Sequence, residues 1–273
     1  MTNKPIELYF ADTPNGWKIS IMLEESKIPY KIIPVNIGKG DQFKPSFLKI
    51  SPNNRIPAII DPNGPGGKPI SVFESGAILQ YLGRKSGKFY PKNERERSNV
   101  DQWLFWQMGG LGPMAGQAHH FRMYAPQFTK EKLTYAKKRY TNEVNRLYGV
   151  MNKQLRKNEY LAGRYSIADM ACWGWILPSK ISMKMQGQKL KDFPHLFKWF
   201  EKVGARPAVQ KGLDVGKAMR MLAKASKSGL SEKTKEAKKA IDLFEILMGS
   251  DVGRRREYLV KNSSLLDPSV LDI

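Results

Sequence analysis

The 273-residue chain contains a single cysteine, Cys172, and only three histidines. One thiol cannot form an internal disulfide or a CxxC redox pair, which excludes disulfide-stapled scaffolds and dithiol redox enzymes. His119 and His120 are adjacent, so they do not share a helix face, and no Cys or acid cluster completes a ligand set around them. No metal site is expected. Long apolar runs are also absent: nothing approaches the roughly 18 consecutive apolar residues of a membrane-spanning helix. The opening MTNKPIELYF lacks an apolar core followed by a small-residue cleavage site, and a reducing, cytoplasmic location is the expectation. Acidic side chains are scarce, 25 against 46 basic ones, which leaves a net charge of +21. Such an excess suits nucleic acid, an anionic membrane surface or acidic small molecules. However, aromatics interleaved with basic residues on strands are missing, so specific nucleic-acid binding is not expected. The bland reading of the charge is a set of solvated helix faces.

What is present reads as two folded parts and an extension. Residues 1–90 alternate strands and helices. Apolar and β-branched runs at 6–10, 28–35, 56–60 and 70–73 read as strands. Ile19, Met22 and Leu23 lie on one face of a helix over 17–26, and Ala77–Lys85 reads as a second helix. The order β-α-β-loop-β-β-α defines an α/β unit with a mixed sheet. After Phe89-Tyr90-Pro91 the strand signals stop. Residues 94–212 then read as all-helical, with amphipathic runs at 94–108, 129–157 and 166–178. Ser166 and Asp169 have capping-box spacing, and Tyr165 and Met170 sit where a hydrophobic staple packs. Cys172 follows on an apolar helix and reads as a core thiol. Residues 213–273 form a Lys-rich extension with one expected helix over 231–248.

Several short segments carry chemistry. Thr13-Pro14-Asn15-Gly16 is either a loop of donors or an ordinary turn. Pro57 enters a strand although it cannot donate to a ladder. Glu74-Ser75 stands where a strand gives way to a helix. Free N–H groups and a hydroxyl there suit an anion, or serve only as a cap. Lys137-Lys138-Arg139-Tyr140 reads, on its residues alone, as a solvated charge run on a long helix.

Taken together, Thr13–Gly16, Ser51–Pro57, Phe73–Leu79, Gly112–Phe121 and Tyr165–Trp173 resemble glutathione transferases, from residue 6 to about 212. The combination is similar to the bacterial Nu class, relatives of the fungal nitrogen-regulator prion protein. The resemblance implies a thioredoxin-like N-terminal domain, a helical C-terminal domain and a homodimer. It implies that Ile56 and a cis Pro57 present backbone to the cysteinyl part of glutathione, and that Glu74 takes the α-amine. Ser75 would take the γ-glutamyl carboxylate, while Gln42 and Arg55 reach the glycyl end. Thr13 and Asn15 would donate to the thiolate, and Arg139 would hold a second glutathione. The implied reaction is attack of bound glutathione thiolate on a small disulfide or another electrophile, with two glutathiones leaving as the disulfide. Cleavage of an aryl ether, or a non-catalytic binding role on the same fold, are the alternatives. If Cys172 is a core thiol, redox turnover must run on glutathione's own sulfur.

Overall fold

The structure, a computed structural model, describes residues 4–227. Strand β1 (Ile6–Phe10) buries Ile6, Leu8 and Phe10 and turns Glu7 and Tyr9 to the other face, the period-two pattern of a pleated strand. β2 (Tyr30–Pro34) runs parallel to it, β3 (Ala58–Asp61) pairs antiparallel with β1, and β4 (Ile70–Phe73) pairs antiparallel with β3. The sheet order is β2-β1-β3-β4, the mixed sheet expected. Between β1 and β2 lies α1 (Pro14–Ser26). Pro14 is tolerated in its first turn, and Lys27 in the left-handed region ends it. The span between β2 and β3, expected as loop, holds two 3-10 turns and the short α2 (Pro45–Leu48). α3 (Ser75–Ser86) follows β4.

Chain contacts divide the molecule into one unit up to Leu82 joined by the segment from Pro207, and a second, Gly83–Arg206. Both divisions differ from the boundaries expected at 90 and 212. The first is shifted because Gly83 lies against Tyr90: a Cβ on it would stand 2.6 Å from the Tyr90 Cβ. The second is shifted because α11 (Pro207–Lys227) runs through residue 212 and packs along α1. The helix expected over 231–248 lies outside the described residues.

The close approach of α11 to α1 requires glycine. A Cβ on Gly212 would meet the Ile21 backbone nitrogen at 2.7 Å, and the Gly212 carbonyl accepts from Ser20 Oγ at 2.8 Å. Glycine to alanine inside a helix ordinarily gains about 1 kcal/mol. Gly212→Ala instead forces two backbones apart, so a net loss of about 1–3 kcal/mol is expected in urea titration. A stabilised variant would contradict the contact.

The second unit is helical: α4 (Glu94–Trp106), α5 (Gly112–His119), α6 (Ala125–Phe128), α7 (Thr134–Lys157), α8 (Ile167–Ile181), α9 (Met183–Gln186) and α10 (Pro194–Gly204). Wide π-turns join α4 to α5 over Gln107–Leu111 and α5 to α6 over His120–Tyr124. Each ends two residues before a proline, Pro113 or Pro126. A proline inside a helix has no N–H and crowds the carbonyl four residues back, and one extra residue in the turn relieves both problems. α7 starts at Thr134 rather than 129 because Leu133 has φ of 50°. The expected capping box is formed: Asp169 Oδ2 accepts from the Ser166 N–H at 3.0 Å, and Ser166 caps α8. Cys172 is fully buried on that helix.

Candidate glutathione site

The site is built at the ends of β1, β3 and β4. Thr13 is the N-cap of α1, with extended backbone and Oγ1 accepting from the Gly16 N–H at 3.3 Å. Accepting at oxygen leaves the Thr13 hydroxyl proton available for donation outward. Turn and donor are thus compatible roles for one residue. Asn15 occupies the second position of the same helix and is half-buried. Gly16 cannot be larger, since a Cβ would lie 2.3 Å from the Ala11 carbonyl oxygen. Tyr9 is held inside β1, where its hydroxyl donates to Glu7 at 3.3 Å.

Ile56 precedes the first paired residue of β3, Ala58, so its backbone lies outside the ladder. The Ile56–Pro57 peptide is cis, as the resemblance implied. Ahead of it, Ser51 Oγ donates to the Arg55 carbonyl at 2.8 Å, and the Asn54 N–H donates to the Ser51 carbonyl at 2.9 Å. Arg55 is exposed and donates to the Asn54 carbonyl at 3.2 Å. Gln42 sits in the second 3-10 turn, and its Nε2 donates to the Ile37 carbonyl at 3.0 Å. Its Oε1 is buried and has no hydrogen-bond partner among the described residues. Ile37 and Ile56 pack against the same core of Val35, Phe47 and Ala58, which ties the Gln42 turn to the start of β3.

Glu74, at the corner from β4 to α3, has φ of 67°. A non-glycine residue in the left-handed region costs about 1–3 kcal/mol and persists where surroundings or function hold it. Its exposed carboxylate accepts from Asn53 Nδ2 at 3.3 Å, and its carbonyl takes the first helical hydrogen bond, from Ile78 at 2.9 Å. Ser75, 4% exposed, opens α3. Its Oγ accepts at 3.1 Å from the Nζ of Lys18, a lysine only 1% exposed. Two features here escaped the sequence reading. Lys18 looks like any polar position of α1, and only its burial marks it. Asp12 accepts from Trp17 Nε1 at 2.6 Å, and Gly216 of α11 lies so near that a Cβ would overlap the Asp12 carboxylate. The segment beyond residue 213, expected as an extension, therefore touches the loop that carries Thr13.

In the helical unit, Arg139 is exposed on α7 and helps hold the Glu143 carboxyl low, after the larger effect of the Arg146 hydrogen bond. His119 stacks on Tyr124 at 5.1 Å; burial lowers the imidazole pKa and pushes the Tyr124 hydroxyl up to about 12. A cleft of about 520 Å³ between α4 and α7, walled by Trp103, Trp106, Gln154 and Asn158, has no ionisable side chain and so no acid, base or nucleophile.

Comparison with known proteins identifies the family. The glutathione S-transferase N-terminal domain matches residues 13–85, and the C-terminal domain of the same family matches 118–213. The chain belongs to the glutathione S-transferase family. It is 50% identical over 210 residues to the disulfide-bond oxidoreductase YfcG of Escherichia coli (strain K12), covering 76% of this chain and 94% of that protein. A glutathione transferase from Burkholderia graminis, solved with two glutathione molecules per subunit, is 44% identical with a TM-score of 0.72. That match covers 77% of this chain and 88% of the other. One from Pseudomonas putida, with one glutathione disulfide per subunit, is 42% identical with a TM-score of 0.71, covering 77% and 90%.

Proposed function

We propose that the protein is a glutathione-dependent disulfide reductase of Nu-class type. The observation that carries this reading is the Glu74–Ser75 corner. A strained acidic residue stands directly before the start of a helix, in a chain half identical to a disulfide-bond oxidoreductase. The exposed Glu74 carboxylate takes the glutathione α-amine, and Ser75 with the α3 N-terminus takes the neighbouring carboxylate. Ile56 supplies backbone to the cysteinyl unit. Arg55 reaches the glycyl carboxylate, while the unpaired Gln42 Oε1, an acceptor, suits the glycyl N–H. Thr13 and Asn15 donate to sulfur, and thiolate is the attacking form.

Because the only cysteine is buried, the chemistry runs on glutathione sulfur. One thiolate attacks the substrate disulfide, giving a mixed disulfide and a released thiol. A second glutathione thiolate attacks that mixed disulfide, releasing the other thiol and glutathione disulfide. Arg139 is the candidate clamp for the second glutathione, an assignment that rests on the resemblance. The same resemblance supports a homodimer, and the reducing cytoplasm suits a glutathione-dependent enzyme.

The deciding experiment is glutathione-dependent turnover of a simple disulfide, run beside electrophilic aryl substrates. Faster aryl conjugation or ether cleavage, or no turnover at all, would remove the reductase reading. Glutathione at about a hundredfold over its dissociation constant should add about 2.7 kcal/mol of stability. That appears as a rise in Tm which Glu74→Ala largely abolishes. Arg139→Ala should weaken glutathione disulfide far more than glutathione in calorimetry, with lysine rescuing only part because it lacks the planar fork. Equal effects on both ligands would return Arg139 to the solvated surface.

A further inference from the structure

α11 lies along α1 within one unit of the chain, and Val209, Gly212, Gly216 and Met219, all buried, fall on one of its faces. Gly212 lets that face meet the backbone of α1 at Ile21. One turn on, the same face reaches Asp12: a Cβ on Gly216 would overlap the Asp12 carboxylate. Asp12 is the centre of a three-residue bend, because the Thr13 N–H donates to the Ala11 carbonyl at 2.8 Å. The direction in which the chain leaves β1 and enters Thr13 is therefore set by where Asp12 is held. Trp17, a buried residue of α1, holds it by donating from Nε1 to the carboxylate at 2.6 Å. The Trp17 N–H donates to the Thr13 carbonyl at 3.0 Å, so bend, cap and indole form one closed unit. An aspartate side chain is short. It cannot clear a methyl group at position 216 without leaving the indole or shifting its own backbone, and Thr13 is the next residue.

We propose that Asp12 is a positioning residue for the glutathione thiolate, and that α11 beyond residue 213 is the element that keeps it in place. The proposal rests on the glutathione reading above, in which Thr13 donates to sulfur. Asp12 acts through Thr13, and no proton or electron moves at Asp12 or Gly216. Gly216 lies past residue 213, where the match to the family's C-terminal domain ends. The extension therefore supplies part of the scaffold of the thiolate loop. A displacement of about 1 Å at a reacting group can cost about a hundredfold in rate, whereas the α-amine and carboxylates of glutathione are held elsewhere and keep their grip.

The test is glutathione-dependent turnover of a simple disulfide by the full chain across pH, with glutathione affinity measured by calorimetry. Gly216→Ala should lower kcat/KM at neutral pH by about ten- to a hundredfold and change glutathione affinity by less than about threefold. A displaced donor leaves the bound thiol with a higher pKa, so the rising limb of the pH–rate profile should move to higher pH, which a simple loss of structure does not cause. Asp12→Ala should show the same signature. The double variant should be no worse than Asp12→Ala alone, because removing the carboxylate removes what the new methyl group meets. Lys217→Ala, on the exposed side of α11, should match wild type. A Gly216→Ala protein with wild-type rates, or a slow one with an unmoved limb, overturns the proposal. So do fully additive effects in the double variant, or an equal loss in Lys217→Ala. Should Gly216→Ala fail to fold, Asp12→Ala decides by the same limb: moved upward, it supports the role; unmoved, it overturns it. Wild type that neither binds nor uses glutathione overturns the glutathione reading, and this proposal with it.

Discussion

Asp169→Ala is expected to destabilise the protein by about 3–5 kcal/mol in chemical denaturation. The carboxylate is fully buried and accepts from four donors: the Leu161 N–H at 3.0 Å, the Ser166 N–H at 3.0 Å, Ser166 Oγ at 3.2 Å and Trp199 Nε1 at 2.9 Å. Alanine removes half of a capping box, worth about 1 kcal/mol. It also leaves the Leu161 amide and the Trp199 indole buried without an acceptor, at about 1–3 kcal/mol each. A loss below about 1 kcal/mol would mean that water or local rearrangement replaces the carboxylate.

The same residue carries a pH signature whose sign can be worked out. Burial pushes its carboxyl from the ordinary 3.8 up to about 6, against the lowering effect of the four donors. Between those values the folded protein holds the proton more readily than the unfolded chain. The stabilisation linked to that proton is fully present below 3.8 and is lost as pH rises through about 6. Compared with the non-titrating Asp169→Asn variant, wild type should therefore do better at pH 4 than at pH 7, by about 2 kcal/mol. An advantage that grows toward neutral pH would show that the donors keep the group ionised throughout.

What the sequence revealed and what it concealed follow from the range of the interactions involved. β1 and β4 occupy the predicted residues, and the Ser166–Asp169 box was readable because its partners are three residues apart. The Thr13, Ile56–Pro57 and Glu74–Ser75 segments were readable as motifs, each lying at an element end where turn chemistry is local. The other two partners of Asp169, Leu161 and Trp199, come from elsewhere in the chain and left no local signal. Lys18 and Ser75 are likewise joined only by the fold. α11 was misjudged because its basic composition resembles a solvated tail, whereas its glycines, Gly212 and Gly216, are what let it approach α1 and Asp12. The two π-turns had a visible cause in Pro113 and Pro126, but periodicity alone reads through them.

Replacing Thr13 and Asn15 together with alanine should lower kcat/KM by about 10²–10⁴-fold, while glutathione affinity falls by less than about tenfold. Each lost donor to a charged group costs about 1.5–3 kcal/mol, and the charge at stake, on the thiolate, develops at sulfur rather than at the carboxylates that dominate binding. Donors to an anion lower its pKa, so their removal raises the pKa of the bound thiol and moves the rising limb of the pH–rate profile to higher pH. Raising the pH should then recover part of the lost rate, a response that a simple loss of structure cannot produce. Thr13 needs its own control because its Oγ1 also caps α1 through the Gly16 N–H. Alanine there costs about 1 kcal/mol of stability as well. Thr13→Ser keeps cap and donor and should retain most of the activity. Thr13→Val, with the shape but not the hydroxyl, should lose both. If the double variant turns over at the wild-type rate with an unmoved pH profile, the backbone N–H groups at the start of α1 must hold the thiolate without either side chain.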